Sequence, residues 1–349
     1  MSRLLITGGF GYIGSHTLVE LMQAGFHDLV VVDDLRRSDE LMVTGVATIT
    51  GITVVHERRD VTDPVALAQI FSTHGPIDAV LHFAAYKSVR ESVAHPLRYF
   101  RNNVVGMVSL LEAMQAYGCS RLLFSSSCTV YGQADALPVT ESAPERRAQS
   151  PYGATKQMGE RMMADAMGEL LTHAVSLRYF NPAGAHASAL IGDLESGEPD
   201  SLVPYITQTA AGWRPHLRVF GSDYNTPDGT PVRDYLHVVD LARAHVAAVR
   251  YLLEGPQSRE VINLGSGHGY SVLDAIGAFE HATGITIAYE MAPRRAGDVE
   301  QIWSSGDKAL SMLGWRTEHT LEEIMASAWA WQQTQPKPLS PGSPLSPSG

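Results

Sequence analysis

An α/β fold built on a doubly wound parallel sheet, with a smaller mixed α/β lobe beside it, is the architecture this sequence predicts, and three observations predict it. Short apolar runs recur between segments of helical periodicity, as in a parallel sheet covered on both faces. The first run, Arg3-Leu4-Leu5-Ile6-Thr7, passes directly into a glycine-rich turn (Gly8, Gly9, Gly11, Gly14) and then into a segment with Leu18, Leu21 and Met22 at helical spacing. The chain has 349 residues, more than one average domain, so two lobes are expected.

With 44% hydrophobic and 18% charged residues, the composition is that of an ordinary soluble globular protein. The net charge of −11 argues against a general nucleic-acid binder, and an anionic ligand would need a local basic site. Cys119 and Cys128 are the cysteines; such sparse usage fits a reducing compartment without a disulfide framework. No charged and then apolar leader precedes the first strand. No apolar stretch approaches the ~18 residues of a membrane span. A cytoplasmic location is expected, with no membrane partner and no metal site.

The spacing Gly8-x-x-Gly11-x-x-Gly14 resembles a dinucleotide fingerprint with one extra residue after the first glycine. Gly8 permits the tight turn, Gly11 lets backbone approach a pyrophosphate, and Gly14 lets helix pack close to strand. The helix N-terminus then faces the anion. A glycine trio alone is an ordinary turn, but here a second run, Leu29-Val30-Val31-Val32, ends at Asp33. A carboxylate at that place can hydrogen-bond the adenosine ribose. Together these predict a Rossmann-type nucleotide site. Arg36 and Arg37 come next: an arginine here can accept the 2′-phosphate of NADP, or both can be solvated loop residues. Asp33 would repel that phosphate, which favours NAD.

The third strand is read over Thr53-Val54-Val55. Asp60 is placed to meet the adenine amino group, or else to cap the helix that starts near Asp63. Ala79 to Ala85 reads as a buried strand whose small last residues let a cofactor lie against backbone. His82 within it reads as a packed core residue, and Lys87 beyond it as a phosphate contact or a solvated side chain. Residues 102–117 read as a helix with Val104, Val105, Val108, Leu111 and Met114 as its apolar stripe. Arg121 to Ser127 reads as a strand ending in three serines. Ligands of a doubly wound sheet sit beyond the carboxyl ends of the strands, so Ser127 falls on the same rim as Gly8, Asp33 and Ala84; its alternative there is a cap or turn.

Tyr152 and Lys156 lie in Ser150-Pro151-Tyr152-Gly153-Ala154-Thr155-Lys156, which opens a helix read as far as residue 171. A separation of four puts both side chains on one face, one turn apart. A phenol titrates near ~10, so a tyrosine base at neutral pH needs a shift of ~3 units, or about 4 kcal/mol; a lysine ammonium one turn away favours the phenolate. Such a pair is common on solvated helices. The nucleotide turn and the strand-end serine that precede it give it weight.

That order resembles the short-chain dehydrogenase/reductase superfamily, and the details resemble its extended, sugar-nucleotide branch. Several stretches are similar to the UDP-glucose 4-epimerase family: Thr7 to Thr17 (TGGFGYIGSHT), Phe83 to Ser92, Ser125 to Gly132 (SSSCTVYG), Ser150 to Lys156, Leu177 to Ala185 (LRYFNPAGA), Val232 to Asp240 (VRDYLHVVD) and Ala292 to Asp298 (APRRAGD). The resemblance implies that Tyr152 is the acid/base on the sugar 4-hydroxyl. Lys156 would hold the nicotinamide ribose and lower the Tyr152 pKa, and Ser127 would hydrogen-bond the 4-oxygen. Tightly held NAD would take a hydride from C4 and return it to the opposite face. Gly8, Gly11, Tyr12, Ile13, Gly14, Asp33, Asp60, Val61, Phe83, Ala84, Lys87, Asn102 and Phe180 would line the NAD site. In the second lobe the resemblance implies diphosphate contacts from Asn181 and the Ser201-Leu202 position, with Arg233 and Arg295 as the clamp. Arg218, Val219 and Phe220 would flank the uracil, and Asp298 would meet the uridine ribose.

Departures from the family pattern bear on the substrate. Ser201-Leu202 stands where Asn-Leu is usual, Arg90 where a small residue is usual, and Asp34 where asparagine is common. At Ile302 the family uses tyrosine to close, or a small residue to open, the space for an N-acetyl group. A 4-epimerase of another nucleotide sugar (UDP-N-acetylhexosamine, UDP-pentose or UDP-uronate) therefore stays open. A 4,6-dehydratase or a decarboxylase is disfavoured, because Cys128 and Thr129 follow Ser127 where those enzymes carry a carboxylate. The expected division is an NAD-binding lobe over 1–181, completed by 234–264, a nucleotide-sugar lobe over 182–335, and a disordered Pro/Ser/Gly tail over 336–349. Met158, Met162, Met163 and Met167 are read mainly as core. Relatives often dimerise through the 102–117 and 153–171 helices, so a homodimer is expected.

Overall fold

The computed structural model describes residues 2–194, 199–295 and 298–337. Seven parallel strands form its main sheet: β1 (Leu4–Thr7), β2 (Leu29–Val32), β3 (Val55–Glu57), β4 (Ala79–His82), β5 (Arg121–Ser127), β6 (His173–Tyr179) and β7 (Ser258–Leu264). Their spatial order is β7-β6-β5-β4-β1-β2-β3. The order reverses at β1, which pairs with β2 on one side and β4 on the other. A crevice at that switch point, beyond the carboxyl ends of the strands, is where such sheets bind ligands.

Alternation of side chains explains the two covered faces. Leu4 and Ile6 enter one core with Val31, Leu81, Leu123 and Leu177, under the helices Tyr12–Gln23 and Val238–Glu254. Leu5 enters the other with Val30, Val80, Leu122 and Phe124, under Pro64–His74, Gly106–Ala116 and Pro151–Asp165. Every residue of β1, β2 and β4 is buried. Helix Val238–Glu254 and β7 bring the chain back to this sheet, β7 pairing with β6 from Ser258↔His173 to Leu264↔Tyr179.

Three expected elements differ. The third strand is Val55–Glu57, not Thr53 to Val55, because the residues that pair with Val30 to Val32 are Val55, His56 and Glu57. Val54 instead packs into the core from the approach to the strand. The helix expected over 102–117 opens with a π-helical segment, Phe100–Val105, before Gly106–Ala116. The wider π turn rotates the following faces, so Val105 and Val108 are 45% and 40% exposed while Met107, Leu110 and Met114 are buried. The helix of Tyr152 spans Pro151–Asp165, not to residue 171; Gly168, with φ +94°, turns the chain so that Met167 bridges Leu171. Of its methionines, Met163 is fully buried but Met158 is exposed.

The second lobe packs helices Leu202–Ala210, Val272–Thr283 and Leu321–Thr334 around Val203, Ile206, Leu217, Phe279, Ile324 and Met325. Short strands complete it. Leu217–Phe220 pairs with Tyr289–Ala292, and Val232–Arg233 lies between Tyr270–Ser271 and Gln301–Ile302. Asn181–Ala183 pairs with Tyr235–His237. Among the described residues no helix is long and apolar enough to cross a membrane. The tail read as disordered lies, from residue 338 on, outside the described residues.

Candidate active site

At Gly8 and Gly14 the backbone itself leaves no room for a side chain. Gly8 has φ +69°, and a Cβ there would lie 2.6 Å from Ala84 N; at Gly14 it would lie 2.4 Å from Gly8 O. The helix that follows, Tyr12–Gln23, begins at Gly11 with no side-chain cap and no acidic residue in its first turn. Its leading N–H groups are therefore presented to an anion rather than to a side chain. Asp33, at the end of β2, is buried and closes the turn: Oδ2 accepts from Phe10 N at 2.9 Å, and Oδ1 from Leu35 N at 2.9 Å and Ser38 Oγ at 2.8 Å. This cradle fits a dinucleotide, with its diphosphate at the turn.

Around the cradle the expected residues take specific partners. Asp60 does not cap the next helix; Asp63 does, accepting from Val65 N and Ala66 N. Asp60 instead accepts from Thr62 and from Arg36, at 2.7 Å. Arg36 also meets Asp34 at 2.8 Å, and Arg37 pairs with Glu91 at 2.5 Å, so neither arginine is simply solvated. Tyr12 donates from its hydroxyl to Gly184 O at 2.7 Å, while Ile13 packs against the core. Val61, Phe83 and Phe180 are buried or partly buried, with Phe180 N donating to Leu264 O at 3.0 Å. Lys87 reaches Asp193 at 3.1 Å and lies 5.6 Å from the Tyr12 ring. Asn102 donates to Asn103 Oδ1 at 3.0 Å. Asn103, which sequence reasoning passed over, is the buried member of that pair; it ties Tyr86 N and O to Thr155 Oγ1, the neighbour of Lys156. The doubled asparagine was its only signal.

Ser127, Tyr152 and Lys156 do come together. Ser127 ends β5, and its Oγ accepts from Thr129 N at 3.2 Å and Thr129 Oγ1 at 3.0 Å, so it also caps the turn that follows. Ser150 caps the Tyr152 helix through Gly153 N at 3.1 Å, with Pro151 in the first turn, and this fixes where the helix starts. Lys156 is buried; its Nζ donates to Ser125 O at 2.6 Å and lies 5.7 Å from the Tyr152 ring. Burial pushes Tyr152 up to about 12, against a lowering hydrogen bond with Ser127, a further rise from Cys128 and a lowering by Lys87. Burial pulls Lys156 down to about 7, with Glu160 opposing. The expected lowering of Tyr152 is thus not what the protein groups produce: desolvation outweighs the neighbouring charges. His82 is a core residue, 2.7 Å from Thr7 Oγ1 and held neutral by burial.

The second lobe contributes two groups. Arg295 and Arg218 lie on Phe220, their guanidinium carbons 3.8 and 5.0 Å from the ring centre, and Val219 is buried beside it. Arg233 lies 4.0 Å from Asp298 and is the register partner of the buried Ile302. Burial pushes the Cys128 thiol up, and the Arg233 charge opposes that rise. Asn181 Oδ1 is buried without a hydrogen-bond partner among the described residues, an acceptor that suits a polar ligand. Ser201 begins helix Leu202–Ala210 without capping it through its side chain. Residues 296 and 297 of the Ala292 to Asp298 motif lie outside the described residues. No cluster of metal-ligand side chains occurs among the described residues.

Comparison with known proteins agrees with this geometry. Residues 4–265 match the NAD dependent epimerase/dehydratase family. The UDP-glucose 4-epimerase of Yersinia pestis is 46% identical over 335 residues, covering 96% of this chain and 98% of that one. A UDP-glucose 4-epimerase structure from Stenotrophomonas maltophila, with bound NAD and formylated UDP-arabinopyranose, superposes with a TM-score of 0.92 at 48% identity, covering 95% of this chain and 98% of that one. The Bifidobacterium longum UDP-glucose 4-epimerase, in complex with NAD+ and UDP, gives a TM-score of 0.91 at 41% identity, covering 96% and 99%. With a glycine cradle after β1, a Ser-Tyr-Lys group at the end of β5 and this degree of similarity over nearly its whole length, the chain belongs to the NAD dependent epimerase/dehydratase family.

Proposed function

We propose that the protein is an isomerase that interconverts UDP-glucose and UDP-galactose by inverting C4. The observation that carries this reading is the convergence of Ser127, Tyr152 and Lys156 beside the glycine cradle. Tyr152 takes the proton of the sugar 4-hydroxyl and gives it back to the inverted centre. Ser127 holds the 4-oxygen through the ketone stage. Lys156 holds the nicotinamide ribose and, while charged, favours the phenolate. NAD, when bound, supplies a reversible hydride acceptor for C4, and the protein supplies orientation and electrostatics.

Arg233 and Arg295 serve as the diphosphate clamp in this reading, since guanidinium forks suit that geometry. Asn181, Ser201 and Leu202 complete the phosphate contacts. Arg218, Val219 and Phe220 flank the uracil, and Asp298 takes the ribose. Residues 1–181 with 234–264 form the cofactor lobe, and the rest of 182–335 the sugar-nucleotide lobe. A homodimer is part of the same reading, supported by the exposed Val105, Val108 and Met158 on adjoining helices; V108D is expected to shift the sedimenting species from dimer to monomer. A cytoplasmic location is supported by the free thiols of Cys119 and Cys128.

Incubation of the purified protein with UDP-galactose or UDP-glucose, with NAD present, tests the substrate. Each should yield the other, and conversion of neither would defeat the reading. A second reading, epimerisation of another nucleotide sugar, draws on the buried Ile302 beside Arg233. UDP-N-acetylglucosamine, UDP-xylose and UDP-glucuronate in the same assay decide between them by their kcat/KM.

A further inference from the structure

Glu160 stands one turn beyond Lys156 on the helix that also carries Tyr152, so the three side chains form one stripe at four-residue spacing. Glu160, Lys156 and Arg178 are each only 3% exposed. A carboxylate this deep must be matched by charge and hydrogen bonds. Arg178 of β6 supplies both, donating from Nε to Oε1 at 2.9 Å and from Nη2 to Oε2 at 2.6 Å. The Ser126 hydroxyl donates to Oε1 as well. Arg178 is braced in turn, 4.7 Å over the Tyr131 ring and 2.5 Å from the half-exposed Glu145.

Ser126 is the residue between the two strand-end groups of the site. Ser125 offers the carbonyl that Lys156 grips, and Ser127 the hydroxyl beside Tyr152. Ser126 and Arg178 are also register partners across β5 and β6. Holding Ser126 therefore holds both neighbours. Among the described residues, Lys156 also faces Tyr152 on its own helix, on which Lys87 and Cys128 act in turn, and His82 of β4, which burial keeps neutral. Glu160 is thus the anion that offsets the desolvation of the ammonium.

We propose that Glu160 is a positioning residue for the proton transfer: anchored by Arg178 and Ser126, its carboxylate fixes the end of β5 and keeps Lys156 charged beside Tyr152. This rests on the roles given above to Tyr152 and Lys156. Arginine cannot give up its proton, so once the Glu160 charge is removed, Lys156 is the group that deprotonates. Tyr152 then loses the positive charge held 5.7 Å from its ring and needs a higher pH to ionise.

The lysines are Lys87, Lys156, Lys308 and Lys337, so protein labelled with 15N at lysine Nζ gives a spectrum in which Lys156 can be followed through a pH titration. In the NAD-loaded protein, E160Q is expected to lower the Lys156 midpoint by about one pH unit. It should reduce kcat at neutral pH by about tenfold with KM nearly unchanged, and move the rising limb of kcat to higher pH. E160D keeps the charge and should restore most of the midpoint. S126A removes a single hydrogen bond and should lower kcat severalfold. An unchanged Lys156 midpoint in folded E160Q overturns the proposal; if E160Q does not fold, unchanged kcat in S126A does so. Failure of the Tyr152 reading is a separate result, full activity in Y152F, and leaves the lysine titration standing.

Discussion

Burial acts on Tyr152 and Lys156 in the same direction, toward the neutral form of each, and so against the ionised pair that the proposed mechanism uses. At Lys156 this has a consequence for stability. A lysine whose folded pKa is about 7 rather than 10.5 binds fewer protons folded than unfolded between those values, so stability rises with pH across that window. Below it the full penalty remains. K156M is therefore expected to abolish activity yet raise the melting temperature at pH 7 by a few degrees. Its advantage over wild type should shrink as pH rises toward 10, as calorimetry across pH will show. At the cofactor end, Arg36 is neutralised by Asp34 and Asp60, which leaves little positive charge for a 2′-phosphate. D34N should tighten NADP binding severalfold with NAD binding nearly unchanged, read by titration calorimetry. Arg36 and Asp60 also show the limit of reading residues in a string. Their types and places were visible, but which carboxylate caps the helix and which meets the arginine depends on loop geometry that spacing does not encode.

Elements were legible to the extent that burial alone determines them. β1, β2 and β4 are apolar on both faces, so a run of Leu, Ile and Val marks them directly. β3 is an edge strand whose paired residues include His56 and Glu57, and apolar counting slid it toward Val54. The π segment at Phe100–Val105 left no periodic mark, because five apolar positions fitted a regular helix until its register changed. Helix and sheet pack closely at Gly159, where a Cβ would lie 2.5 Å from the Phe124 ring. G159A should push the Tyr152 helix away from β5. The expected cost is about 1–3 kcal/mol of stability by denaturant titration, with loss of kcat because Lys156 no longer reaches Ser125 O.

At the scale of the whole molecule, the proposed site draws on residues of both lobes. Tyr12 ties the glycine helix to Gly184, and Lys87 meets Asp193. The cofactor half of this arrangement follows from local signals: glycine spacing, an acidic strand end and a Tyr-x-x-x-Lys helix. The proposed sugar half comes from short strands such as Val232–Arg233 and Gln301–Ile302, too brief to show a period, and was legible only through resemblance. The measurement that bears most directly on the proposed reaction is the conversion of UDP-galactose carrying deuterium at C4, in wild-type protein and in Y152F. UDP-glucose should form with its deuterium retained at C4, at a rate that Y152F lowers by about a hundredfold to ten-thousandfold; loss of the deuterium to solvent, or an undiminished rate in Y152F, would contradict it.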